Sequence, residues 1–156
     1  MKLRFMLLSI LSSLGILIGT YFKKIINKEI KQGEKYIFLG KLILLLSLIL
    51  INLKANHSLL WILAGFIFAD IVKNSYFFLS ILTFSSLINI FLVFIYSLYD
   101  YSLKEESYKK TILTFLYFLL PFYIFLFYQI PISFAIGGLI YELIRNLFKY
   151  KKEKRA

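Results

Sequence analysis

The sequence predicts an all-α integral membrane protein, a bundle of about six transmembrane helices, and three observations carry that expectation. Hydrophobic residues make up 60% of the 156, aromatic residues 19%, and mean hydropathy is +0.79, against roughly 45–50% apolar content in an ordinary soluble domain. A globule of this length must cover most of its surface with polar groups, and 17% charged residues cannot do so. The apolar residues are also gathered into six runs, most of them near the ~20 residues that cross a bilayer. Finally, the runs lack a period of two, as Leu42 to Leu46 shows, which argues against a barrel and leaves helices to satisfy the backbone in lipid. The same composition excludes a soluble enzyme or a disordered tail, and the absence of cysteine excludes a disulfide scaffold.

The first run, 5–22, follows Met1-Lys2-Leu3-Arg4 and has the basic start of a signal peptide. It is too long for one, no Ala-x-Ala-like site follows, and Tyr21-Phe22-Lys23-Lys24 reads as an interface anchor. The second, 36–53, carries Lys41 near its start, where a long side chain snorkels to the interface. The third, 58–72, is short and bounded by His57 and Lys73. The fourth, 76–99, is the longest and has to tilt or project from the bilayer. The fifth, 111–128, contains Pro121, which removes a backbone donor and predicts a kink. The sixth, 132–148, follows Pro131 in a tight turn. No repeat or linker divides the chain, so residues 1–156 read as one membrane domain.

The 19 Lys and Arg against 8 Asp and Glu give a net charge of +11, a surplus that in a soluble protein suggests nucleic acid. Here the cations lie between the runs and in the tail from Lys149 to Arg155, where they fix orientation and meet anionic membrane lipid, so no nucleic acid is expected. Six spans put both termini on one side. Eleven Lys and Arg then fall on that side, against Lys23, Lys24, Lys28, Lys31, Lys35 and Lys73 on the other, which predicts an inner-membrane protein with both termini cytoplasmic. The five lysines between 23 and 35 fit this poorly. Five crossings with a re-entrant third run would move that loop inside and the tail outside.

Charges inside spans are the default functional candidates because each costs on the order of 3 kcal/mol at the bilayer centre. Asp70 ends the third run, either as a partner of Lys73 one turn on or as an interhelical acceptor or ligand group. Glu142 and Arg145 lie three apart in the sixth and pair within their own helix. Small residues give a second signal: Gly15 and Gly19, Gly65 and Ala69, and Ala135, Gly137 and Gly138 offer close-packing faces, to this chain or to a partner. The single histidine and absent cysteine leave no metal or haem site, and no Gly-x-Ser-x-Gly, His-Glu-x-x-His or phosphate-loop motif occurs, so neither cofactor nor catalysis is expected. The 17 Phe and 12 Tyr are lipid-facing bulk and interface belt.

The stretch Trp61-Ile62-Leu63-Ala64-Gly65-Phe66-Ile67-Phe68-Ala69-Asp70-Ile71-Val72 and the tail Gly137-Gly138-Leu139-Ile140-Tyr141-Glu142-Leu143-Ile144-Arg145 resemble the rod-shape-determining MreD family. Over roughly residues 36 to 150 the order of features is similar: six spans, a glycine-bearing third helix ending in aspartate, and a short last helix running into a basic tail. The glycine-to-aspartate spacing is shorter than the family's, Asn74-Ser75-Tyr76 stands where it usually has a glycine, and the long basic first loop is unusual for it. The resemblance implies a non-enzymatic membrane scaffold of the cell-wall elongation machinery. Its implied partners are an MreC-like bitopic protein, the wall polymerase and transpeptidase, and through them the actin-like MreB. The alternative is the substrate-binding membrane subunit of an energy-coupling-factor transporter, which needs a pocket lined by groups such as Asn52, Asn89 and His57. An enzyme acting on lipids has no motif behind it.

Overall fold

The computed structural model describes residues 2–53, 58–103, 108–127 and 130–153, and these are all-helical. The helices are α1 (Lys2–Ile25), α2 (Asn27–Asn52), α3 (Leu59–Val72), α4 (Ser75–Thr83), α5 (Leu87–Leu103), α6 (Tyr108–Phe127) and α7 (Ile132–Glu153). Among the described residues no helix is long and apolar enough to cross a membrane.

Two elements depart from the sequence reading. The segment 23–35, expected as a loop, is helical on both sides of a break at Ile26, whose backbone leaves the helical region at φ −117°, ψ 39°. The fourth run is two helices. Thr83 and Ser85 turn their hydroxyls back onto the carbonyls of Ser80 (2.6 Å) and Leu82 (2.7 Å), competing with the helical ladder. Ser86 then caps the next helix, its hydroxyl accepting from the Asn89 N–H at 3.2 Å. Upstream, Lys73 ends α3 in the left-handed conformation (φ 52°), and the Asn74 side chain caps α4 by accepting from the Tyr76 N–H at 3.0 Å. Pro121 lies inside α6, and Pro131 precedes α7.

Side-by-side contacts set the direction of α1 to α5 and of α7, and α6 returns from the end of α5 to the start of α7. α1 runs parallel to α5: Gly15 lies against Phe94, Gly19 against Leu98 and Tyr101, and Lys23 Nζ donates to the Leu103 carbonyl at 3.5 Å. α2 is antiparallel to α5, with Lys41 beside Asp100 and Asn52 beside Asn89. α3 is parallel to α7, through the ring pairs Trp61–Phe134 and Phe66–Tyr141 and the Arg145 bond to the Lys73 carbonyl. α4 folds back on α5, Tyr76 level with Asp100 and the Leu82 carbonyl level with Asn89. The seven helices therefore alternate in direction. The start of α1 and the end of α7 lie at opposite ends of the bundle, not at the shared end that six spans require.

All nine residues of α4 are buried. It is the central helix because Ser75–Thr83 carries no charge and its rings pack outward, Phe77 and Phe78 meeting Phe68 of α3 at 5.6 and 6.3 Å. Leu45, Leu48, Val93, Phe118, Ile136 and Leu139 complete the core. Glycines allow the closest approaches. A Cβ on Gly65 would overlap the Phe134 carbonyl, one on Gly137 the Ile62 carbonyl, and one on Gly138 the Phe78 ring.

Gly65→Ala should cost about 1–3 kcal/mol, because a backbone carbonyl cannot move aside. Gly33→Ala, with only the Ile37 methyl at 3.9 Å, should gain roughly 0.5–1 kcal/mol from helix propensity. Thermal unfolding of the two purified variants checks the contrast, and equal shifts would contradict the packing. Lys73→Gly should raise stability by about 1 kcal/mol by relieving the left-handed residue, read in the same assay.

Candidate functional site: a buried polar network at one end

Three helices bring ionised and amide side chains to one level, where α4 adds a tyrosine hydroxyl and α3 a backbone carbonyl. Lys41 Nζ of α2 sits 2.6 Å from Asp100 Oδ1 of α5, the two side chains 8% and 2% exposed. Tyr76 of α4 donates its hydroxyl to Asp100 Oδ2 at 2.8 Å, and the Lys41 ammonium stands 5.8 Å from the centre of the Tyr96 ring. On the other side Lys41 donates to Asn146 Oδ1 of α7 at 3.4 Å, and Asn146 Nδ2 donates to Glu142 Oε1 at 3.0 Å. Glu142 pairs with Arg145 at 2.6 Å, and Arg145 donates to the Lys73 carbonyl at the end of α3, 3.3 Å away.

Two cations and two carboxylates alternate along this chain, so its net charge is zero. Each buried charge has an opposite partner and further hydrogen bonds, the condition under which ions persist in a low-dielectric interior. The Tyr76 and Asn146 bonds fix which carboxylate oxygen faces which donor. Nothing here is arranged as a nucleophile with a base. Among the described residues no group of three or more His, Cys, Asp or Glu could hold a metal ion.

Of the residues singled out in the sequence, Glu142 and Arg145 pair within α7. Asp70 joins two helices: it accepts from the Tyr141 hydroxyl at 2.6 Å in an exposed position, and among the described residues that tyrosine, not Lys73, is its partner. Lys41 is buried in the network and does not snorkel. Gly15, Gly19, Gly65 and Gly138 are covered by α5, α7 and α4, and Ala69 is 3% exposed. These faces serve packing inside the chain and are closed to a partner.

Asp100, Tyr76 and Asn146 were missed. Asp100 falls just past the fourth run and reads as linker, although Asn89, Val93, Tyr96 and Asp100 recur at helical spacing and are all buried. At the far end Asn89 Nδ2 donates to Asn52 Oδ1 at 2.8 Å, Asn52 returns a bond at 3.2 Å, and Ser85 bonds both amides. These amides clamp the α4–α5 turn. His57 and Lys54 lie outside the described residues.

Breaking the central pair should be costly. Lys41→Met or Asp100→Leu alone should lose about 3–5 kcal/mol by stranding a buried charge, while the double variant should recover much of it. A double-mutant cycle on unfolding midpoints measures this, and additive losses would mean that the pair is not coupled. Asp70→Asn should cost less than Asp70→Leu, both within about 1.5 kcal/mol.

No protein-family model, curated protein or solved structure matches the chain.

Proposed function

We propose that the chain is an integral membrane protein that acts by binding other membrane components, without catalysis of its own. The distribution of side chains carries this reading. Leu7, Leu11 and Leu17 of α1, Leu59, Leu60 and Ile71 of α3, and Leu113 and Leu116 of α6 are each about half to four-fifths exposed, while Lys41, Asp100, Glu142, Asn146, Asn52 and Asn89 are buried. Apolar side chains outside with Lys41, Asp100 and Glu142 paired inside is an arrangement a bilayer favours and water does not. The uncharged run 5–22 lies within α1, whose first side chains are outside those described, so the reading rests on this inversion and on the sequence rather than on one long helix.

Within that class, the form implied by the MreD-like segments is a scaffold of cell-wall elongation whose partners are a bitopic MreC-like protein and the wall polymerase and transpeptidase. The Gly65 to Asp70 face of α3 seats on α7 in this chain, so a partner would meet the opposite face, where Leu60, Leu63, Ile67 and Ile71 are exposed. Asn52 and Asn89, two of the groups named for the pocket of the transporter-subunit reading, are buried and bonded to each other.

The protein should stay with membranes through alkaline carbonate extraction and leave them only with detergent, whereas release by carbonate would end the reading. Leu60→Ala and Ile67→Ala together should weaken co-purification with wall-elongation proteins several-fold without lowering abundance. Gly15→Leu, whose side chain has no room beside the Phe94 carbonyl, should lower abundance itself. Turnover of a lipid or peptide by the purified chain would refute the non-enzymatic assignment.

A further inference from the structure

The hairpin of α4 and α5 and the distribution of charge between the two ends of the bundle share one geometry. We propose that α4 and α5 enter the bilayer as one hairpin from a single face, and that this face, which carries the charged side chains among the described residues, is the cytoplasmic one and docks on anionic phospholipid headgroups. The inference rests on the membrane reading above and adds to it a topology and a lipid partner.

The hairpin follows from levels already given. Tyr76, at the start of α4, meets Asp100, three residues from the end of α5. The Leu82 carbonyl and Ser85 at the tip meet Asn89 and Asn52. Lys73 and Leu103 therefore lie at the same end, although a single fourth span would place them on opposite sides. At 1.5 Å per residue the nine residues of α4 cover about 13.5 Å, less than half of a ~30 Å hydrocarbon core, and all of them are buried among α5, α6 and α7. The chain then crosses an odd number of times, and its termini lie on opposite sides.

Charge follows the same division. Lys24, Lys31, Lys35, Lys73, Lys109 and Lys110 are exposed on the segments that meet at the network end, and the sequence after α7 adds a basic tail. Among the described side chains no charged one lies at the other end; in the sequence Lys2 and Arg4 open α1 and Lys54 follows α2. Glu29, Glu34 and Asp70 are also exposed at the network end, the sequence between α5 and α6 adds Glu105 and Glu106 beside Lys104, and the cations outnumber these carboxylates. The first loop, which the six-span order left outside with five lysines, joins the remaining cations on the positive, inner side. Juxtamembrane lysines at an anionic leaflet each contribute about a fivefold gain in association, and a neutral leaflet offers none.

The chain has no cysteine, so single replacements report cleanly. Lys24→Cys, Lys73→Cys and Lys109→Cys should resist an impermeant maleimide in intact cells and react once the inner face is opened, while Ser58→Cys reacts from outside. Lys73 and Lys109 reacting from opposite sides would overturn the hairpin. Lys24 read against Lys109 gives the same discrimination if the Lys73 variant fails to accumulate. All three lysine positions reacting from outside would overturn the orientation. Release of the protein by carbonate would instead refute the membrane reading itself. In reconstituted vesicles, spin-labelled phosphatidylglycerol should be enriched several-fold over phosphatidylcholine around the protein. The enrichment should fall toward one in Lys24→Gln/Lys31→Gln/Lys35→Gln, and equal partition around the unaltered chain would overturn the lipid assignment.

Discussion

The contact on which the arrangement depends is the buried ion pair between Lys41 and Asp100. A lone ammonium or carboxylate at that depth would cost several kcal/mol, so α2 and α5 are constrained to present both charges at one level. Once they do, the other partners are determined. Tyr76 supplies the second carboxylate bond, which fixes the height of α4, and Asn146 takes a second bond from the ammonium, which draws in α7. Through Glu142 and Arg145 the same chain of bonds reaches the end of α3. A helix that shifted by one turn would leave a charge without its partner, so the network selects register as much as it contributes stability.

Packing below the network follows a different principle. Away from the ions the helices associate through close van der Waals contact. α1 achieves it against α5 at Gly15 and Gly19, and α3 against α7 at Gly65 and Gly137, each glycine set against a backbone carbonyl. The two parallel pairs flank the central α4, whose Phe78 ring fills the space above Gly138. The far end is closed by the amides of Asn52 and Asn89, neutral groups that satisfy the α4–α5 turn without the desolvation cost of ions. The bundle is thus held by charge at one end, by amides at the other, and by glycine contacts between.

Placed side by side, these constraints explain why faces that look suited to binding are not available. Small residues at spacing four are consistent with either an internal or an external partner, and the sequence pattern is the same in both cases. Here the internal partner occupies them. What remains outside is large and apolar, together with the lysines gathered at the network end.

Composition and apolar runs alone indicated an all-helical chain, and the spacing of Glu142 and Arg145 indicated their pair, because helical spacing and apolar content are local properties. The division of the fourth run was written in Thr83, Ser85, Ser86 and Asn89, but hydropathy averages over such polar residues and reads the run as continuous. The partner of Lys41 could not be read from the chain. It lies in a helix starting 46 positions later, at a level that depends on whether α4 and α5 are one helix or two. Only the tertiary structure decided that, because the direction of α5, and with it the end of the bundle at which each later charge lies, depends on a turn whose reversal is stabilised by Asn52 from a distant helix.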